Sequence, residues 1–171
     1  MDYFELFGLP VSLKVNKAYN IKKYYALSKE FHPDHFTLDN TGAQEKALLM
    51  TSEINKAKKI LDHAYQRLAY YLTQNNLIQT DEKYTLSPSF LGDMMDINEQ
   101  LMELEFDQDA SKLADIQSAV MEKETLLFEE VKLFFEMEQL QISDSDHLKL
   151  KDYYYRKKYL NRILERLHEM M

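Results

Sequence analysis

Only three glycines and three prolines punctuate this chain of 171 residues. Average usage would place about 12 Gly and 8 or 9 Pro in such a length. Strands need turns, and turns lean on these two residues for their special φ values. With so little punctuation, and with Leu, Lys, Glu, Met and Gln abundant, an all-α fold is expected. The apolar fraction of 45% supplies a core and excludes a disordered chain. The length suits one domain or two small ones.

The chain holds no cysteine. That excludes a disulfide framework, a thiolate zinc site, a Cys nucleophile and direct thiolate ligation of an iron–sulfur cluster. The formal net charge of −8 argues against nucleic-acid binding through overall charge. There is no 18-residue apolar run, and Asp2 and Glu5 interrupt any signal-peptide core. A soluble cytoplasmic protein is the resulting expectation.

A short opening helix, Asp2 to Phe7, is closed by Gly8-Leu9-Pro10. Asn16 caps the next helix, which runs to Phe31. On it Ile21, Tyr24, Leu27, Ser28 and Phe31 share an arc of roughly 120°, with Lys22, Lys23 and Lys29 opposite. Pro33 stops the helix near His32, and a polar loop follows from Asp34 to Gly42. Helical pattern resumes from about Ala43, with Ala47, Met50, Ile54, Ala57 and Leu61 on one face. A shorter helix carries Tyr65, Leu68, Ala69 and Leu72. Residues 73–86 are polar and aperiodic, and 76–86 are read as a linker between a domain at 1–75 and one at 87–171. Ser87-Pro88 opens the latter as N-cap and N1. Helices are expected at about 88–106, 109–138 and 145–170. The middle stripe is Leu113, Ile116, Val120, Leu127, Val131 and Phe134; the last is Tyr153, Leu160, Ile163 and Leu167. Short connections make these an antiparallel three-helix bundle.

The tripeptide His32-Pro33-Asp34 lies between a basic amphipathic helix and its antiparallel neighbour. Alone it reads as a proline-terminated helix with an Asp turn. Together with Tyr3-Phe4-Glu5-Leu6-Phe7, Gly8-Leu9-Pro10, Ile54-Asn55-Lys56-Ala57 and Leu61-Asp62-His63, in order and spacing, it resembles a J domain, a helical hairpin with two short flanking helices. The resemblance implies docking on a DnaK-class chaperone and stimulation of its ATPase. Lys22, Lys23 and Lys29 would steer toward an acidic patch, and His32, Pro33 and Asp34 would reach the junction between nucleotide and peptide binding. Pro33 stiffens the loop, which lowers the entropy lost on docking. Asp34 offers a carboxylate to a partner Arg. Two positions depart from the family pattern: His35, where a basic residue is usual, so that docking could be pH-sensitive, and Ala64, where Pro is common.

Residues 93–109 hold Asp93, Asp96, Glu99, Glu103, Glu105, Asp107 and Asp109 and no Lys or Arg. Phe90, Met94, Ile97, Leu101 and Leu104 step by 4, 3, 4, 3 and form the bundle seam. Leu91, Met95 and Met102 make a second apolar stripe rimmed by acid. It is read either as a binding surface or as a face covered by the N-terminal domain. From Met1-Asp2-Tyr3-Phe4 through the C-terminal helices, the chain resembles the HscB/Jac-type co-chaperones of iron–sulfur cluster assembly. That family implies an L-shaped two-domain arrangement. It also implies an HscA-like DnaK-class chaperone and an IscU-type scaffold protein as partners, in the bacterial cytoplasm. Position by position, the scaffold contacts fall on Leu91, Gly92, Met95, Asp96, Glu99 and Glu103. An aromatic of the last helix joins them, placed at Tyr159, with Tyr153, Tyr154 and Tyr155 as alternatives. Gly92 departs from the bulkier apolar residue usual there.

His32 and His35, with Asp34 and Asp39 nearby, do not make a metal site, since no second ligand pair exists. Arg156-Lys157-Lys158 is read as a solvated helix face. There is no phosphate loop and no nucleophile–base pair. The expectation is therefore a protein without cofactor, metal or catalysis of its own.

Overall fold

The computed structural model describes residues 1–36, 41–107 and 109–171. Every regular element among these residues is helical, as the scarcity of Gly and Pro required. None of these helices is long and apolar enough to cross a membrane. The chain forms two compact units, one of residues 1–75 with 134–141, the other of residues 76–133 with 142–171.

The first unit begins with α1 (Tyr3–Phe7), capped by the Asp2 carboxylate, which accepts from the Phe4 and Glu5 N–H groups. Gly8 ends it in the left-handed region at φ 64°, a conformation that favours glycine. Helix α2 (Lys17–Glu30) starts at Asn16, whose side chain accepts from Tyr19 N–H. A 3₁₀ turn (Pro33–Phe36) follows, then α3 (Thr41–Leu61) and α4 (Ala64–Gln74). Phe4, Phe7, Leu27, Ile54, Ala57 and Leu61 form the core, with Tyr24, Phe31 and Met50 against it.

Two polar residues are buried where periodicity expected apolar ones or solvent. Ile21 is exposed, and Asn20 is buried instead. The Asn20 amide donates to Leu61 O at 3.3 Å and to the Asp62 carboxylate at 2.8 Å. Arg67 is fully buried on α4. Its Nε donates to Ser12 O at 2.6 Å, its Nη1 to Leu61 O at 3.2 Å, and its guanidinium lies 5.2 Å from the Phe4 ring centroid. Burial pushes this guanidinium down to about 10, so it stays charged at neutral pH. Residues 134–141 complete the unit: Ser12 Oγ donates to Met137 O at 2.6 Å, Leu140 N–H donates to Val11 O at 2.8 Å, and Lys14 pairs with Glu138.

The second unit contains α5 (Pro88–Phe106), α6 (Ala110–Glu129) and α8 (Asp144–Met170). Asp93 on α5 pairs with Lys123 on α6, and Glu124 of α6 and Glu130, just past its end, pair with Lys157 and Arg156 of α8. Glu105 and Arg166 join the ends of α5 and α8. Helix α6 therefore runs against both neighbours, and α5 runs with α8. The expected seam is buried throughout: Phe90, Met94, Ile97, Leu101 and Leu104 on α5, and Tyr153, Leu160, Ile163 and Leu167 on α8.

The expected middle helix, 109–138, is shorter. It ends at Glu129, Val131 N–H bonds back to Phe128 O, and α7 (Lys132–Glu136) follows. The chain leaves the bundle here because residues 134–141 belong to the first unit. Residues 76–86, read as a linker, also have a definite place. Tyr84 stacks on Tyr155 at 4.5 Å and donates to Asp152 at 2.9 Å, and Tyr155 donates to Glu82 at 2.6 Å. Glu82 also pairs with Lys151. Composition marks this stretch as polar, but Glu82 and Tyr84 have partners on α8.

Candidate functional site

The His-Pro-Asp turn follows the end of α2, which is held against the middle of α3. Tyr24 Oη donates to Asn55 at 2.9 Å, and Thr51 Oγ1 donates to Phe31 O at 3.3 Å, which fixes where α2 stops. Beyond it Asp34 N–H donates to His32 Nδ1 at 3.3 Å. The Asp34 carboxylate lies 3.5 Å from the same nitrogen, yet the side chain is 81% exposed. His32 thus buttresses the turn that presents Asp34. The His35 ring is 6.0 Å from that of His32. Lys22 and Lys29 are exposed and Lys23 is half-buried. Among the described residues none of the three pairs with a carboxylate. Asp39 lies outside the described residues. Among those described, no cluster of three or more His, Asp or Glu could hold a metal ion.

Helix α5 has two faces. Its seam is buried, while Met95 and Met102 are 67% and 55% exposed on the other side and Leu91 is half-buried. Asp96, Glu99 and Glu103 are exposed and make no ion pair among the described residues. Asp93 and Glu105 differ, being held by Lys123 and Arg166. At Gly92 an added Cβ would meet nothing within 4 Å. Phe106, absent from the sequence-derived set, is 90% exposed at the end of the same face. Its spacing from Met95 and Met102, 4 and 3 residues in alternation with Glu99, could have identified it.

The tyrosines of α8 separate. Tyr153 is buried, which pushes its phenol up to about 12, and Tyr155 is bonded to Glu82. Tyr154 packs edge-on against Tyr155. Tyr159 is placed beside α5: Asn98 Nδ2 donates to its hydroxyl at 3.4 Å, and its ring meets Phe90 edge-on at 6.1 Å. Arg156 and Lys157, expected on a solvated face, are instead tied into the unit. Arg156 makes a two-pronged pair with Glu130 and a contact with Asp152, and Lys157 is buried against Glu124. Lys158 and Arg162 stay exposed.

A helical hairpin with an exposed His-Pro-Asp turn, joined in one chain to a three-helix unit with an open acidic face, is the construction of a co-chaperone. The chain belongs to the HscB family. Residues 86–168 match the family model described as the HSCB C-terminal oligomerisation domain. The co-chaperone HscB homolog of Vibrio campbellii is 32% identical over 122 residues, 70% of this chain and 71% of that protein. That of Vibrio vulnificus is 34% identical over 111 residues, so the chain matches 65% of that relative's length. The crystal structure of human co-chaperone HscB is similar, with a TM-score of 0.81 and 25% identity over 98% of this chain and 81% of that one.

Proposed function

We propose that this chain stimulates the ATPase of an HscA-like DnaK-class chaperone and delivers to it an IscU-type iron–sulfur scaffold protein, in the bacterial cytoplasm. It has no catalytic activity of its own in this reading, and the cluster stays with the scaffold. The supporting observation is a segregation of lysines and carboxylates that make no ion pair among the described residues. Lys22, Lys23 and Lys29 stand on the helix that leads into the turn exposing Asp34 in one unit, and Asp96, Glu99 and Glu103 flank exposed methionines in the other. Opposite charges on two separate surfaces suit two different partners. Holding both at once raises the effective concentration of scaffold at the chaperone.

At the chaperone surface Lys22, Lys23 and Lys29 supply long-range attraction, while His32, Pro33 and Asp34 supply a stiff, oriented carboxylate. At the scaffold surface Leu91, Met95 and Tyr159 supply apolar area, and Asp96, Glu99 and Glu103 supply the acidic rim around Gly92. The test is steady-state ATPase of the cognate chaperone with this protein, with and without scaffold. Stimulation should be greater than additive when both are present and should vanish with Asp34→Asn. Stimulation that survives Asp34→Asn, or no gain from adding scaffold, overturns the reading.

A further inference from the structure

The open face of α5 continues past the residues assigned to scaffold contact. Phe106 stands three turns, about 16 Å, beyond Met95, and at 100° per residue the two side chains leave the helix within about 20° of one another. Met102 fills the space between them. Met95, Met102 and Phe106 line a shallow groove of about 600 Å³ with Asn98, Glu99 and Glu103.

We infer that Phe106 is a further anchor of the scaffold site, receiving a segment of the scaffold whose apolar side chains alternate with Lys or Arg. The inference rests on the proposed scaffold binding and extends it. The occupant follows from charge. Asp96, Glu99 and Glu103 rim the groove without partners among the described residues, whereas Asp93 and Glu105 are neutralised by Lys123 and Arg166. A second copy docking through the same face would set these carboxylates against their own copies, which is repulsive. A basic, apolar-studded segment satisfies both the rim and the floor. An exposed Phe also suits an anchor, because it offers a large rigid surface with few rotatable bonds to immobilise.

The test is isothermal titration of the full chain with the IscU-type scaffold protein of the same genome. Phe106→Ala should weaken binding about tenfold, the scale of an anchor residue, and Phe106→Leu by less. Met121→Ala, which removes an exposed methionine of α6 (55% exposed), should leave affinity unchanged. Phe106 is exposed, so these variants should keep the wild-type far-ultraviolet circular dichroism. Wild-type affinity in Phe106→Ala, with binding lost in Met95→Ala, overturns the inference and leaves the scaffold reading standing. No binding by the unaltered chain removes both. Should Phe106→Ala abolish self-association in sedimentation and leave scaffold affinity intact, the occupant is a second copy and the inference fails.

Discussion

Gly92 allows stability and recognition to be separated at one position. It lies in the second turn of α5, with no positive φ and no atom within 4 Å of where a Cβ would stand. Nothing in the fold therefore requires glycine there, and its helical conformation costs about 1 kcal/mol relative to alanine. Gly92→Ala should recover that amount, seen as a rise in melting temperature of roughly 2–4 °C. Gly92→Leu should recover nearly as much, since leucine and alanine have similar helix propensity. It also adds a side chain on the acidic face, one turn before Met95 and Asp96. Half-burying a leucine on docking is worth about 1 kcal/mol, roughly a fivefold tighter complex with the scaffold. Thermal melts by circular dichroism and calorimetric titration of the three proteins measure both effects. The alanine variant controls for helix stiffening, because a single methyl adds little contact area. A lower melting temperature for Gly92→Ala would refute the claim that the position is open. A more stable Gly92→Leu that binds scaffold more weakly would refute the claim that glycine merely omits contact. It would show instead that the partner backbone approaches the helix here, which only glycine permits.

Arg67→Met should destabilise the first unit by about 3 kcal/mol, because it removes two charge-assisted hydrogen bonds and strands the Ser12 carbonyl. An unchanged urea midpoint would contradict the role of Arg67 as the tie between Ser12 and Leu61. The phenols of Tyr3, Tyr84 and Tyr153 are pushed from 10.0 to about 12, in each case chiefly by burial. The unfolded chain then releases these protons first, so their stabilisation is complete below pH 10 and is lost as pH rises toward 12. Phenolate absorbance should lag that of a denatured control across this interval and catch up on unfolding; coincident titrations would refute the burial. At the acid end, the Arg156 hydrogen bond holds the Glu130 carboxyl below its usual 4.5, so its contribution is present above that pH and fades below it. Glu130→Gln should flatten that part of the acid unfolding curve.

What the sequence made legible was periodic, and what it concealed was tertiary. The stripe from Phe90 to Leu104 is buried residue for residue, because a helix repeats every 3.6 residues whatever surrounds it. Asn20 and Arg67 follow no such rule. Each is buried by a carbonyl or carboxylate brought from elsewhere in the chain: Leu61 and Asp62 for Asn20, Ser12 and Leu61 for Arg67. Polarity marks both for the surface, and only the fold supplies the partners that make burial affordable. Residues 76–86 show the same limit. Tyr84 and Glu82 lack a period to betray them, and their partners Asp152, Lys151 and Tyr155 lie on the last helix. Phe106 escaped for a simpler reason: it closes its helix, and a final residue looks like a boundary before it looks like part of a face.

The charge of −8 acquires meaning only after the ion pairs are assigned. Lys149 to Arg166 carries seven basic residues against two acidic ones, which alone would make α8 a basic surface. Yet Arg156, Lys157 and Arg166 are paired with Glu130, Glu124 and Glu105, so much of that excess ties the last helix to the rest of its unit. On α5 register decides the outcome. Asp93 and Glu105 lie on the flanks that meet α6 and α8, and each finds a cation. Asp96, Glu99 and Glu103 fall within an outward arc of roughly 60° and find none among the described residues. A scan by charge reversal should show the difference. Glu103→Lys should weaken scaffold binding at low salt with little change in melting temperature, and added salt should shrink the gap between the two proteins. Glu105→Lys, which opposes Arg166, should lower the melting temperature first. Equal effects of the two reversals on both measurements would mean that register does not sort these carboxylates into structure and recognition.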